Sequence, residues 1–186
     1  MEDSEIIELY WQRSETAIEE TAGKYGNYCK SIVHNILQSM EDTEECVNDT
    51  WLHTWNAIPT ERPYEFRTWL GRIARNLAFD RYRRMTAKKR GGREVDILLS
   101  ELEDCIPSVH SVEKELEDEE LAGLINSFLR KQKKENRVIF MRRYYYSDSI
   151  KQIAERFKIS ESKVKSSLFR TRNGLKEYLE REGIMI

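Results

Sequence analysis

Between Phe66 and Arg84 the chain reads FRTWLGRIARNLAFDRYRR, and its apolar side chains return at helical intervals. Phe66, Trp69, Leu70, Ile73 and Leu77 stand at i, i+3, i+4, i+7 and i+11, which gives one side of an α-helix a continuous core-facing stripe. A strand cannot use that spacing, because its side chains alternate with a period of two. Two upstream stretches keep the same rhythm, IEETAGKYGNYCKSIVHNIL and DTEECVNDTWLHTWNAI. The second has Asp42 or Thr43 as its expected N-cap and acids in its first turn. Pro59 and Pro63 predict a stiff loop before Phe66. Helical patterning resumes in VEKELEDEELAGLINSFLRKQ and KKENRVIFMRRYYY, and closes with a short helix over 149–157, a turn over 158–161 and a long helix over 161–181. With eight Gly and three Pro in 186 residues, and no strand-like alternation or internal repeat, the expected fold is all-α, with three to four helices in each of two small domains.

The rhythm fades from Met85 to Ser111, where Gly91-Gly92 and Pro107 bracket an acidic stretch. Residues 86–111 are therefore expected to be a flexible, weakly structured linker between domains at 1–85 and 112–186. No apolar run approaches the roughly 18 residues of a membrane span, and MEDSEIIELYWQRSE is too acidic and too polar to be a signal peptide. Cys29, Cys46 and Cys105 are odd in number and far apart, as expected of free thiols in a reducing cytoplasm. A cytoplasmic protein without direct membrane insertion is the expectation.

The net charge of −2 conceals a strong alternation. Residues 1–66 carry 4 basic and 14 acidic side chains, 67–93 carry 10 and 1, 94–129 carry 1 and 11, and 130–181 carry 16 and 6. Two basic blocks, each preceded by an acidic one, suggest two polyanion-binding surfaces.

The last block has the layout of a helix-turn-helix. Ala154 is the small residue that lets the second helix cross closely, and Ile153, Phe157, Ile159 and Val164 are spaced to fill the angle. Ser160 is the expected N-cap, and Lys158 stands where a sharp turn favours Gly. Val164, Leu168, Thr171, Leu175 and Leu179 form the expected buried stripe. Ser162, Ser166, Phe169, Arg170 and Asn173 fall opposite, flanked by Lys163, Lys165 and Arg172. Cations for phosphates, short polar groups and Arg for base edges, and an aromatic for thymine methyls are what a major groove asks of a helix. Packing of Phe169 beneath a neighbouring helix is the alternative that spacing leaves open.

The helix at 66–84 repeats the combination, with Arg72, Arg75, Asn76, Phe79 and Arg83 away from its stripe and Tyr82 beside them. Guanidiniums with aromatic faces suit unpaired bases. Trp51 and Trp55 share a face one helix earlier, where core packing is the competing role. Glu44, Glu45 and Asp49 form either a solvated face or a dock for a basic protein. Cys29, His34, Cys46, His53, Cys105 and His110 match no zinc spacing, and no phosphate-binding Gly-rich loop or catalytic triad is recognisable. Neither a metal, a cofactor nor a catalytic residue is therefore expected.

DTEECVNDTWLHTW followed by FRTWLGRIARNLAFDRYRR resembles region 2 of the extracytoplasmic-function (group 4) sigma factors of the bacterial sigma-70 family. RVIFMRRYYYSDSIKQIAERFKISESKVKSSLFRTRNGLKEYL resembles their region 4, and the likeness spans most of residues 5–182. The resemblance implies a non-catalytic initiation subunit of RNA polymerase. It implies that Glu44, Glu45 and Asp49 dock on the clamp helices of the largest subunit, and that Arg72, Arg75, Asn76, Phe79 and Arg83 meet the −10 element. The loop at 58–65, with two prolines and no Gly, falls where a flipped base is captured. Ser162, Lys163, Lys165, Ser166, Phe169, Arg170 and Arg172 fall in the helix that reads the −35 element, and the polymerase flap would meet the same region. The linker would thread toward the active centre and RNA exit path, and an anti-sigma factor would hold the protein in check. Two rival functions are compatible with the sequence. A stand-alone helix-turn-helix regulator would predict a ligand pocket within residues 1–85, and a metalloprotein would need the scattered Cys and His to converge.

Overall fold

The computed structural model describes residues 1–58, 60–86, 94–106, 115–184 and 186, without the side chains of Thr86 and 115–119. Pro59, Gly91, Gly92, Pro107 and His110 lie outside the described residues. Those described form nine helices and no strand, in two compact units, Met1–Arg90 and Gly91–Ile186.

The first unit contains α1 (Asp3–Trp11), α2 (Thr16–Leu37), α3 (Met40–Ala57) and α4 (Phe66–Thr86). A capping box between Glu2 and Glu5 starts α1, which lays Ile6, Ile7 and Tyr10 into the core. Tyr10 donates to Thr21 Oγ1 at 2.9 Å, so its buried hydroxyl is satisfied. Gln38, in the left-handed region at φ 54°, ends α2 and turns the chain directly into α3. The cap of α3 is Ser39, whose hydroxyl accepts from the Asp42 amide at 3.3 Å, and not Asp42 or Thr43 as expected. The polar side chains of α3 hide its inward face, which is Thr43, Cys46, Val47, Thr50, Trp51 and Thr54. Thr50 and Thr54 bond to the carbonyls four residues back, at 2.9 and 2.8 Å, which lets them be buried without an outside partner.

Burial on α4 departs from the expected stripe. Phe66, Trp69 and Leu70 are buried, but the seam continues through Ala74, Ala78 and Tyr82, while Ile73 and Leu77 are half-buried. The two alanines have little volume of their own, so they let the helix lie close against its neighbours. Tyr10, Tyr25, Phe66 and Trp69 gather in edge-on and stacked contacts with centroids 5.8–6.2 Å apart.

The second unit contains α5 (Glu94–Glu103), α6 (Glu115–Lys131), α7 (Lys134–Tyr144), α8 (Ile150–Phe157) and α9 (Glu161–Arg181). The first of these contradicts the expectation of a weakly structured linker through 86–111. Val95, Leu98, Leu99 and Leu102 repeat at helical spacing, and burying Val95 and Leu98 gives α5 the packed side it needs to persist. Arg143 of α7 is fully buried and bonds to Glu94 at 2.6 Å, Glu101 at 3.3 Å and the Asp148 carbonyl at 3.1 Å. Gly174 of α9 faces the Phe128 ring, which a Cβ would meet at 3.4 Å, so α6 and α9 are in close contact there.

Candidate nucleic-acid interface

Two caps define the C-terminal helix pair. Ser149 opens α8 in a reciprocal capping box with Gln152, and Ser160 opens α9 by accepting from the Lys163 amide at 3.2 Å. Between them Lys158 takes the left-handed conformation at φ 54°, ψ 45°. A lysine therefore fills a position that glycine would adopt without steric cost. Ile153, Ala154 and Val164 are buried where the helices meet, Ile159 is half-buried, and Phe157 is turned out to solvent instead of filling the angle.

Val164, Leu168, Thr171, Leu175 and Leu179 are buried along α9, joined by Ser167, which donates to Asn136 Oδ1 at 2.9 Å. Ser162, Lys163, Lys165, Ser166, Arg170 and Asn173 are exposed, and Phe169 is 58% exposed, not tucked under a neighbour. The Arg170 guanidinium reaches back to the Ser166 carbonyl at 3.2 Å. Lys163 pairs with Glu135 at 2.7 Å across an exposed gap. Arg172 is set apart from the rest. Its side chain is mostly covered, bonded to the Tyr144 hydroxyl at 2.7 Å and 3.6 Å from Glu101.

On α4, Arg72, Asn76, Phe79 and Arg83 follow at i, i+4, i+7 and i+11, one line along the helix, with Arg75 beside it. Arg72, Asn76 and Arg83 are exposed and Arg75 and Phe79 half-buried; Arg83 lies 3.6 Å from Asp80. Tyr82, expected beside them, belongs to the core at 5% exposure. Sequence reasoning missed Tyr64 in the loop before α4, which is 97% exposed next to Pro63; an aromatic in a proline-marked loop was the available signal. It also missed Arg81, which bridges Asp42 at 2.8 Å and Glu45 at 2.5 Å. The Ser39 hydrogen bond, then Arg81, hold the Asp42 carboxyl below its ordinary value, and Arg81 does the same to Glu45. Glu44 and Asp49 are exposed on the same helix. Trp51 is core, while Trp55 is half-buried under the Arg13 guanidinium, 4.8 Å from its ring centre.

Cys29, Cys46 and Cys105 are buried and free, with burial pushing their thiols up to about 12, 11 and 11. His34 lies 3.4 Å from the Thr43 hydroxyl, and His53 is exposed. Among the described residues no group of three or more His, Cys, Asp or Glu could hold a metal ion. A cleft of about 380 Å³ between α2 and α3, bordered by Gly23, Gly26, Lys30 and Asn48, is polar and open, unlike the enclosed apolar pocket of a small-molecule sensor. No described helix is long and apolar enough to cross a membrane.

The family model for sigma-70 region 2 matches residues 22–88, and that for sigma-70 region 4 matches residues 130–174. Together they cover more than half of the chain. No curated protein matches. Among solved structures, that of CnrH in complex with the cytosolic domain of CnrY is similar at 19% identity, covering 96% of this chain and 97% of that one with a TM-score of 0.43. The chain belongs to the sigma-70 family of transcription initiation factors, with regions 2 and 4 in the order of its extracytoplasmic-function type.

Proposed function

We propose that this chain binds core RNA polymerase, carries it to promoters and has no catalytic step of its own. In this reading residues 1–85 dock on the polymerase through Glu44, Glu45 and Asp49 and engage the −10 element through Arg72, Arg75, Asn76, Phe79 and Arg83. The loop over 58–65 holds an unpaired base, with Tyr64 as an exposed surface for stacking. Residues 112–186 place α9 in the major groove of the −35 element. Ser162, Lys163, Lys165, Arg170 and Arg172 then serve phosphates and base edges, and Ser166 and Phe169 line the bases. The polymerase flap meets the same domain, the stretch over 86–111 connects the two, and a cytoplasmic anti-sigma protein masks the factor until it is needed.

The observation that carries the reading is the division of α9 into a continuous apolar stripe and an opposite exposed face of Lys, Ser, Arg and one aromatic. A helix fixed by one side and chemically equipped for DNA on the other is what groove readout requires. The test is whether the purified chain co-elutes with bacterial core RNA polymerase and directs it to start transcription at discrete sites. Co-elution with discrete starts is expected, and the starts locate both promoter elements. A chain that binds DNA but never the polymerase would overturn the reading in favour of a stand-alone regulator.

A further inference from the structure

The acidic segment ahead of the C-terminal helices is a docked helix, and one of its carboxylates sits on α9. Glu101 accepts from the Tyr144 hydroxyl at 2.9 Å and from Arg143 at 3.3 Å, and lies 3.6 Å from Arg172. Arg172 stands at i+7 from Lys165 and i+3 from Phe169, so the three follow one line along α9. Lys165 and Phe169 are open to solvent, whereas Arg172 is mostly covered, bonded to the Tyr144 hydroxyl at 2.7 Å with Glu101 as its carboxylate neighbour at 3.6 Å. A DNA backbone lying along that line competes with Glu101 for the same guanidinium, since carboxylate and phosphate use the same paired donors.

α5 has the character of a separable element. Ten residues are too few for a stable isolated helix, so it is helical only while docked. Its hold rests on the small apolar patch of Val95, Leu98 and Cys105 and on the buried ion pairs of Arg143. Arg143 is shared between two carboxylates of α5 and the Asp148 carbonyl of its own stretch, and the attraction in a buried ion pair repays little more than the cost of desolvating it. Cys105 follows α5 directly and is 2% exposed, with Arg172 and Lys176 of α9 close enough to act on its thiol, so the same docking covers it.

We propose that α5 is an intramolecular clasp on the DNA-binding unit, that Glu101 and promoter DNA compete for Arg172, and that DNA binding therefore undocks α5 and uncovers Cys105. The inference rests on the reading of α9 as the −35 helix. Linkage makes the effect reciprocal: whatever factor the docked clasp takes from DNA affinity, bound DNA takes from docking.

The experiment uses the full chain, a maleimide and a short duplex carrying the −35 element located by the transcription starts. Modification is followed separately at each cysteine by mass spectrometry. Bound duplex is expected to speed labelling of Cys105 severalfold while leaving Cys29 and Cys46, buried in the other unit, unchanged. Glu101→Gln is expected to label faster at Cys105 without DNA. It is also expected to bind the duplex severalfold tighter, with a salt dependence steeper by about one phosphate contact. Glu94→Gln, which loosens the hold on Arg143 without touching Arg172, gives the same direction of change if Glu101→Gln does not fold. A Cys105 rate unaffected or slowed by bound DNA, or variants that bind no tighter, would overturn the clasp and make α5 a fixed support of α9. Absence of any duplex binding by the unaltered chain would instead remove the −35 reading, and the clasp with it.

Discussion

α4 and α9 are both basic helices of 21 residues, yet they divide their surfaces differently. On α9 the buried residues keep to one stripe and leave a clean opposite face. On α4 the buried seam moves from Phe66, Trp69 and Leu70 to Ala74, Ala78 and Tyr82, winding around the helix as it goes. Each helix has an arginine held by acids that precede it in the chain. Asp42 and Glu45 take Arg81, and Glu101 takes Arg172, with Arg143 close by. The acidic blocks thus supply counter-charges within each unit, and only part of each basic block is left for a polyanion. A charge alternation in sequence is not by itself a map of binding surface.

The contrast can be broken most forcefully at the α9 stripe. Leu168→Ala is expected to cost about 2–5 kcal/mol of stability, because the residue is 1% exposed in a packed core. A urea titration shifted by much less would mean that the stripe does not anchor α9. Next in size is Arg170→Ala, expected to weaken −35 duplex binding by about tenfold, within the range of a lost base or phosphate contact. Anisotropy titrations of this variant against Arg72→Ala would sharpen the comparison, since the α4 variant should leave the −35 duplex unaffected and impair only opening of the −10 element. Equal effects of both on one probe would erase the distinction between the helices.

A smaller effect is expected at the acidic helix that faces α4. Asp49→Asn should reduce affinity for core polymerase severalfold with an unchanged melting temperature, because Asp49 is exposed. Glu45→Gln also removes an Arg81 partner, so its melting temperature should move as well. Identical polymerase affinity for Asp49→Asn would take that residue out of the interface. Smallest is Lys158→Gly, which relieves a left-handed backbone and is expected to be neutral or to stabilise by up to about 1 kcal/mol. Clear destabilisation in a thermal melt would show that the lysine side chain contributes something the conformation does not explain.

The α9 layout was legible because the periodicity there is strong and Ser160 stands where its N-cap is needed. The pattern on α4 was half legible. Counting large apolar residues favoured Ile73 and Leu77, whereas close helix packing selected Ala74 and Ala78, a choice that depends on neighbours far away in sequence. The helix at 94–103 was obscured by the glycines and proline around it, although Val95, Leu98, Leu99 and Leu102 carried the signal. Burial of Arg143 could not be read at all, since its carboxylate partners lie more than forty positions earlier in the chain.

The threonine face of α3 bears on how this protein can change over time. Thr50 and Thr54 satisfy their hydroxyls on their own helix, so neither neighbouring helix has to supply a matching polar group. Valine has nearly the same shape and would leave the backbone bonds of the helix in place. Substitutions between these two residues can therefore accumulate one at a time, without a compensating change across the core. The polarity of this buried face can therefore vary without redirecting α3, and exposed acids such as Asp49, unlike Glu45 with its Arg81 bridge, can change without disturbing the packing beneath them.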